Sequence, residues 1–456
     1  MNPRLTPLAA ALSVAFLAPA HAQTADLDPV IVSATRFSET DTNVAANISV
    51  ITRGDIKNTP AYDLPSMLKG SAGVGVRSLY GSLGIDATID IRGFGETAGS
   101  NTLILLDGQR MNPIDMGSVS WSAIPLDSVQ RIEIMRGAGT VLYGDKATGG
   151  VVNIITDKSG TPRAGAAVGI GSYDTQTVDL NGAIGNETGY INAFARYAHT
   201  GGWRENSQAE QSALSGRGGL YIGKGEAFLD YAVYNDHSGL PGYLLSAAYQ
   251  NNPKTSTTPN DSQRSDGYRL RPGVALPITD TLRFEAEVSY DTQDQHANYA
   301  SFRSQADRTR DNWSVTPRLR WQHGLGGLKS ETVAGIDYYS GDVDATYSSS
   351  AAQSAKQDST GFYFQNVTEW VAGLASTLGA RSQRVDQEAK QEAYMNPWGM
   401  QPGMSGSAEY TRSAWDLGLS YAGDGWRVYG KGGTTFRFAN TDELFGYDPF
   451  TGNPTF

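Results

Sequence analysis

Leu282-Arg283-Phe284-Glu285-Ala286-Glu287-Val288-Ser289-Tyr290 alternates apolar and polar side chains without a break. Successive side chains of a strand point to opposite faces, so Leu282, Phe284, Ala286, Val288 and Tyr290 share one face and the polar residues the other. Trp415, Leu417, Leu419 and Tyr421 alternate in the same way with Asp416, Gly418 and Ser420. Two architectures produce this pattern. A water-soluble sandwich turns the apolar face inward. A membrane barrel turns it outward to lipid and places aromatic residues at the interfaces. The aromatic strand ends favour the barrel.

Working outward, the pattern extends from about residue 163 to the end of the chain. Short joins at Gly185–Gly189, Gly223–Gly225, Ile278–Asp280 and Gly423–Gly425 suit turns on one side of a membrane. Longer polar stretches around 238–266, 292–309, 342–357 and 387–408 fall on the other side and read as extracellular loops. This scheme gives about thirteen strands. Phe445 to Phe456 offers no further strand, because Gly446, Pro449, Gly452 and Pro454 interrupt it. The terminal Phe456 therefore reads as coincidental.

Composition narrows the class. The chain has no cysteine, which excludes disulfides, thiolate catalysis and Cys-based metal sites. A net charge of -11 argues against nucleic acid as a partner, since phosphate binding needs a basic surface. Beyond the N-terminus no run reaches the roughly 18 apolar residues of a membrane helix. Strands escape that criterion, because only alternate residues face lipid. At the N-terminus, Arg4, the apolar stretch Leu8 to Leu17 and the ending Ala20-His21-Ala22 form a cleavable signal peptide over 1–22. Export follows.

Residues 23–43 form a polar leader with one β-prone patch, Pro29-Val30-Ile31-Val32, which suits either a strand added to a partner's sheet or an edge of the next domain. Residues 44–158 read as a compact α+β domain. Strand-like stretches at Asn47–Ile51, Val74–Arg77, Thr88–Ile91, Leu103–Leu106, Arg131–Met135 and Val151–Ile155 alternate with two short helices and many glycines. Arg131 and Glu133 alternate with Ile132 and Ile134 and are expected on an exposed strand face.

In this domain Ile91-Arg92-Gly93-Phe94-Gly95, Leu105-Leu106-Asp107-Gly108-Gln109-Arg110 and Ile124-Pro125-Leu126-Asp127-Ser128-Val129 appear in order. They are followed by Arg131-Ile132-Glu133-Ile134-Met135-Arg136-Gly137, Leu142-Tyr143-Gly144 and Gly149-Gly150-Val151-Val152-Asn153-Ile154-Ile155-Thr156. Together these motifs resemble the plug domain of TonB-dependent outer-membrane receptors. The resemblance implies an α+β plug inside an antiparallel transmembrane β-barrel over 163–456. It also implies energy-coupled uptake of a metal chelate, with ferric siderophores first and cobalamin second. Haem is disfavoured by the small number of histidines. Family barrels have about twenty-two strands, so a C-terminally truncated, non-transporting fragment is a further expectation.

By the same resemblance, Asp28, Pro29, Val30, Ile31, Val32 and Ser33 are similar to the TonB box, the segment grasped by TonB with its partners ExbB and ExbD. Signalling members carry an extra periplasmic domain before this segment, for which the few residues between Ala22 and Asp28 leave no room. Arg92 and Arg136 are similar to plug arginines that meet glutamates of the barrel wall, as unpaired buried charge would be costly. Candidate ligand-contact residues in the plug loops are Arg77, Tyr80, Phe94, Glu96, Arg110, Asn112 and Trp121, with loop aromatics Tyr243 and Tyr249 beside them. Met395, Met400 and Met404 could offer thioethers to a soft metal, but adaptable apolar packing is the commoner use. No Gly-x-Ser-x-Gly elbow, paired-His motif or phosphate loop is present in the plug, so no enzyme and no cofactor are expected. The expected surroundings are outer-membrane lipid and lipopolysaccharide, and the expected state is a monomer.

Overall fold

A computed structural model describes residues 31–32, 39–40, 45–79, 82–396, 399–423, 426–447 and 454–455. The signal peptide, Asp28–Val30 and Ser33, Tyr80, Trp398 and Phe456 lie outside the described residues. Ile31–Val32 pairs antiparallel with Glu39–Thr40 in a two-residue ladder.

The first domain is built on a five-stranded sheet. Its strands are β1 (Asn47–Thr52), β4 (Thr102–Leu106), β5 (Gln109–Arg110), β6 (Val129–Arg136) and β7 (Gly150–Thr156), with a separate hairpin of β2 (Val74–Ser78) and β3 (Ala87–Ile91). The order is β1-β6-β7-β4-β5, with β7 and β4 parallel and the rest antiparallel. Helix α1 (Arg53–Asn58) starts at a capping box between Thr52 and Asp55, and α2 (Leu64–Lys69) starts at Asp63, whose side chain accepts the Ser66 N–H.

Both faces of this sheet are apolar. Ile104, Ile132, Ile134, Val152 and Ile154 pack against α2, the β2-β3 hairpin and Trp121. Leu103, Leu105, Met135 and Val151 face the other way, onto Val333 and Tyr363 of the second domain. That second face corrects the expectation for Glu133. Its side chain is fully buried, paired to Arg131 at 2.8 Å, because β6 is an interior strand with cover on both sides.

The second domain is one antiparallel sheet. Its strands are β8 (Arg163–Gly171), β9 (Thr175–Gly185), β10 (Gly189–Thr200), β11 (Ala209–Ile222), β12 (Gly225–Gly239), β13 (Ser262–Pro277) and β14 (Leu282–Tyr299), then β15 (Ser304–Val315), β16 (Arg318–Leu325), β17 (Leu328–Tyr347), β18 (Gln353–Val371), β19 (Leu374–Gln391), β20 (Met404–Gly423) and β21 (Trp426–Gly433). These fourteen strands make thirteen staves, because β15 and β16 are halves of one. Both halves keep a single register against β14 (Val288↔Val315, Glu285↔Arg318) and against β17 (Val315↔Tyr338, Arg318↔Gly335). The break falls at Pro317, which has no N–H for the ladder, although its carbonyl still accepts from Ile336.

Facing decides between sandwich and barrel. Trp415, Leu417, Leu419 and Tyr421 are exposed, while Asp416, Gly418 and Ser420 between them are buried. Likewise Val288 is exposed and Glu287 and Ser289 are buried. The apolar face is outside and the polar face wraps the first domain. Tyr268, Tyr290 and Trp313 stack on the outer surface with ring centroids 5.8 and 4.5 Å apart. Trp321 lies eight residues further along the stave from Trp313, about 26 Å along the chain and roughly 20 Å in height at the usual strand tilt, which fits within a membrane's apolar band.

The extracellular loops are shorter than the polarity of the sequence suggests. Residues 292–309 are almost all strand, with only Ala300–Arg303 between β14 and β15. Strands of 18 to 20 residues, such as β14, β17 and β20, exceed the roughly 9–11 needed to span the bilayer. Beyond lipid a strand needs no apolar face, so alternation ends before the strand does.

Candidate ligand-binding site

Buried polar groups fix the plug to the wall, and three clusters of them stand out among the described residues. The first is the Leu105–Arg110 motif. Asp107 and Gly108 both adopt positive φ, 52° and 86°, in the tight two-residue turn joining β4 to β5. The turn places Asp107 against Arg271 of β13 at 3.2 Å and Lys158 at 3.2 Å, while its carboxylate also accepts from Thr156. Arg271 also reaches Asp230 and, at 3.3 Å, Glu287. Gln109 Nε2 donates to Glu287 Oε2 at 2.5 Å and to Thr316 Oγ1 at 2.9 Å. Burial alone would raise the Asp107 carboxyl, but Lys158, Arg271 and Arg217 outweigh it and hold it below the usual carboxylate range.

The second is Asp115, fully buried, whose Oδ2 accepts from Arg308 at 2.9 Å and Arg310 at 3.0 Å. Burial again opposes ionisation, and the two guanidiniums prevail, leaving the group lowered.

The third is the segment after β21. Phe436 and Phe438 pack with Val141, Val385 and Ala414. The Phe438 N–H donates to Asp145 Oδ1 at 2.9 Å, Asn440 Nδ2 to Ser100 Oγ at 2.6 Å, and the Met116 N–H to Asp442 Oδ2 at 2.8 Å. Beside it lies Lys146, whose Nζ donates to the Pro113 carbonyl at 2.5 Å. Burial pushes this ammonium down to about 8, against the pull of Asp145.

Between the plug apex and the wall is a cavity of about 260 Å³. Its floor is the loop Met116–Ser122 with Ile85 and Asp86. Its side is the inward parity of the staves: Asp236 on β12, Gln263 and Ser265 on β13, Gln293 to Tyr299 on β14, and Arg308 and Arg310 on β15. Asp442 and Tyr347 complete the rim. This end of the wall is the one opposite the short turns.

The sequence-derived contact residues fare differently. Trp121 reaches the cavity, but it is buried and its Nε1 donates to the Ala87 carbonyl at 2.8 Å, so it is mainly core. Asn112 holds the Ile104 N–H and the Gly99 and Thr102 carbonyls and is a brace of the plug backbone. Arg110 donates to the Asp145 carbonyl at 2.6 Å and lies over the Tyr339 ring, enclosed away from the cavity. Arg77 and Glu96 are exposed and pair with each other at 2.7 Å, near exposed Phe94, outside the cavity. Tyr80 lies outside the described residues. Tyr243 and Tyr249 are exposed in the loop before β13, away from the cavity lining.

Arg92 and Arg136 do not meet wall glutamates among the described residues. Arg92 is exposed at φ 75°. Arg136 donates to the Ala72 carbonyl and to Ser49 Oγ, at 2.6 and 2.7 Å, within the plug. Both line a cleft beside β21, and the inward carboxylate there, Asp416 of β20, pairs with Lys431 at 2.8 Å instead. The buried charge at the interface has the opposite sense: carboxylates come from the plug, Asp107 and Asp115, and arginines from the wall. The wall arginines escaped sequence reading because inward polar residues look alike there. The Asp-Gly turn was the one available signal.

An apolar-out antiparallel wall curved round a docked α+β plug, with a polar cavity at its outer mouth and no pairing between β8 and β21 among the described residues, defines part of a plugged outer-membrane barrel. Residues 40–151 match the TonB-dependent Receptor Plug Domain and residues 214–456 the TonB dependent receptor-like β-barrel. The chain belongs to the TonB-dependent receptors, a family of receptors and transporters rather than enzymes. It is 38% identical over 168 residues to the vitamin B12 transporter BtuB of Vibrio cholerae, covering 36% of this chain and 27% of that one. Thus it spans about a quarter of that relative. Among solved structures it resembles the unliganded ferric citrate transporter FecA (TM-score 0.75, 18% identity, 88% of this chain and 65% of that one). It also resembles the open form of the ferric-catecholate receptor Fiu of E. coli K12 (TM-score 0.73, 16% identity, 88% and 71%). A third likeness is the alcaligin receptor FauA of Bordetella pertussis (TM-score 0.72, 15% identity, 90% and 66%). At these identities the structures speak for the fold.

Proposed function

We propose that this receptor takes up a metal chelate across the outer membrane, driven through TonB with ExbB and ExbD. The observation that carries the reading is the cavity of about 260 Å³ at the outer mouth, walled by plug and barrel together. A ligand there touches the plug directly, so its binding can be coupled to plug displacement. The coupling handle is Asp28–Ser33, ahead of the plug and suited to strand addition. Ferric siderophores are the leading ligand class. Cobalamin is the second, favoured by the 38% identity to a vitamin B12 transporter over 168 residues.

Growth of a receptor-deficient strain on single ferric siderophores or cobalamin tests the reading. Complementation should require TonB. Deleting Asp28–Ser33 should abolish uptake while cells still bind the ligand. Uptake that persists without TonB, or without that segment, would refute energy coupling.

A further inference from the structure

The charges around the outer cavity are unevenly committed. Its two arginines are occupied: Arg310 bonds Asp115 and Gln293, and Arg308 bonds Asp115 and Tyr347. Three carboxylates also face it, on Asp86, Asp236 and Asp442, while Asp307 turns outward to His296 at 2.6 Å; with Asp115 included the lining is net negative. Asp236 is 94% buried; its Oδ2 accepts from Ser122 Oγ at 2.8 Å, Ser265 stands directly across the ladder, and its Oδ1 makes no hydrogen bond of good geometry among the described residues. On the plug side Asp86 accepts from Gln263 Nε2 at 2.8 Å. A buried acceptor without a donor is costly and is satisfied when a donor arrives. A polyanion entering the same space would meet repulsion with no free guanidinium to offset it.

We propose that the cavity selects ligands that present N–H donors, as amides or an ammonium, and carry no net negative charge, with Asp236 as the acceptor at its base. This rests on the uptake reading and narrows it, since it sets aside polycarboxylate and catecholate chelates in favour of neutral or cationic ones. Asp236 is then a specificity-determining residue supplied by the wall, facing Asp86 on the plug.

Equilibrium binding to the purified chain in detergent tests this with three probes: ferrioxamine B, which bears an ammonium; cyanocobalamin, neutral and amide-rich; and ferric citrate, polyanionic. At least one of the first two should bind about tenfold or more tighter than ferric citrate. Asp236→Asn keeps the shape and the Ser122 contact, and should weaken the tighter probe about tenfold or narrow its lead over ferric citrate by that factor. Tighter binding of ferric citrate, or Asp236→Asn leaving all affinities unchanged, would overturn the subsite while sparing the uptake reading. Failure of all three probes to bind would overturn the subsite, and the TonB-dependent growth test decides the uptake reading separately.

Discussion

At the scale of single residues, Arg271 is the group on which plug docking most depends. Its side chain is 4% exposed and it meets Asp107, Asp230 and Glu287 at once. Replacing it with Met removes the cation that all three share and leaves Asp107 to Lys158, Asp230 to Arg217 and Glu287 to Arg318, a change expected to cost about 3 kcal/mol. Urea unfolding followed by proteolysis at the plug should register the loss. Gly144 is constrained differently. It has φ 75°, and a Cβ there would run into Gln383 and Arg381 of β19, so Gly144→Ala should cost about 2 kcal/mol or more.

Titration gives two residue-scale windows of opposite direction. Asp107 and Asp115 are held below the ordinary carboxylate value, so unfolded chains bind more protons once pH falls under about 4. Their contribution is complete above that point and is lost as pH falls further. Lys146 is lowered from 10.5 to about 8, so between those values the unfolded chain holds a proton that the folded one has released. Stability should therefore rise with pH across that interval. Thermal melts against pH check both, and Lys146→Met should flatten the alkaline rise.

At the scale of elements, the staves were legible where lipid imposes a pattern and illegible where it does not. The alternation in β14 and β20 gave direction and parity, and the stave total of thirteen follows from it. The overestimated loops fall where β14, β15, β17 and β18 rise past the membrane and turn polar on both faces. Outward tryptophans make this testable. Trp313, Trp321, Trp370, Trp415 and Trp426 are each about half exposed, whereas Trp121 is buried in the plug. In vesicles of brominated lipid, the single-Trp variants of the outer set should be quenched and a Trp121-only variant should not. Quenching of Trp121 would contradict the outward orientation of the wall.

The plug's elements were legible for another reason: their glycine turns and ordered motifs recur together, so the resemblance carried the topology. Their roles were not. Leu105–Arg110 was recognisable as a motif, but its work, a tight turn that inserts Asp107 beside Arg271, needs the wall as its second half. Arg92 and Arg136 illustrate the converse. A cationic motif position indicates that a partner is needed, not which stave supplies it, and here Arg136 turns back to the plug's own Ala72 and Ser49.

At the scale of the whole molecule, the account stands on the plug lying inside the concave polar face of the sheet, secured at Asp107, at Asp115 and by the Thr434–Leu444 strap. The most direct test uses the absence of native cysteine. Thr140 on the plug and Thr435 on the strap bring their Oγ1 atoms to 2.5 Å across 295 residues of sequence, which places their Cβ atoms within reach of a disulfide. In the Thr140→Cys/Thr435→Cys variant, mild oxidation should give a single intramolecular cross-link, seen as a reducible shift in gel mobility that neither single variant shows. A double variant whose thiols stay free under the same oxidation would contradict the seating of the plug on which the uptake proposal depends.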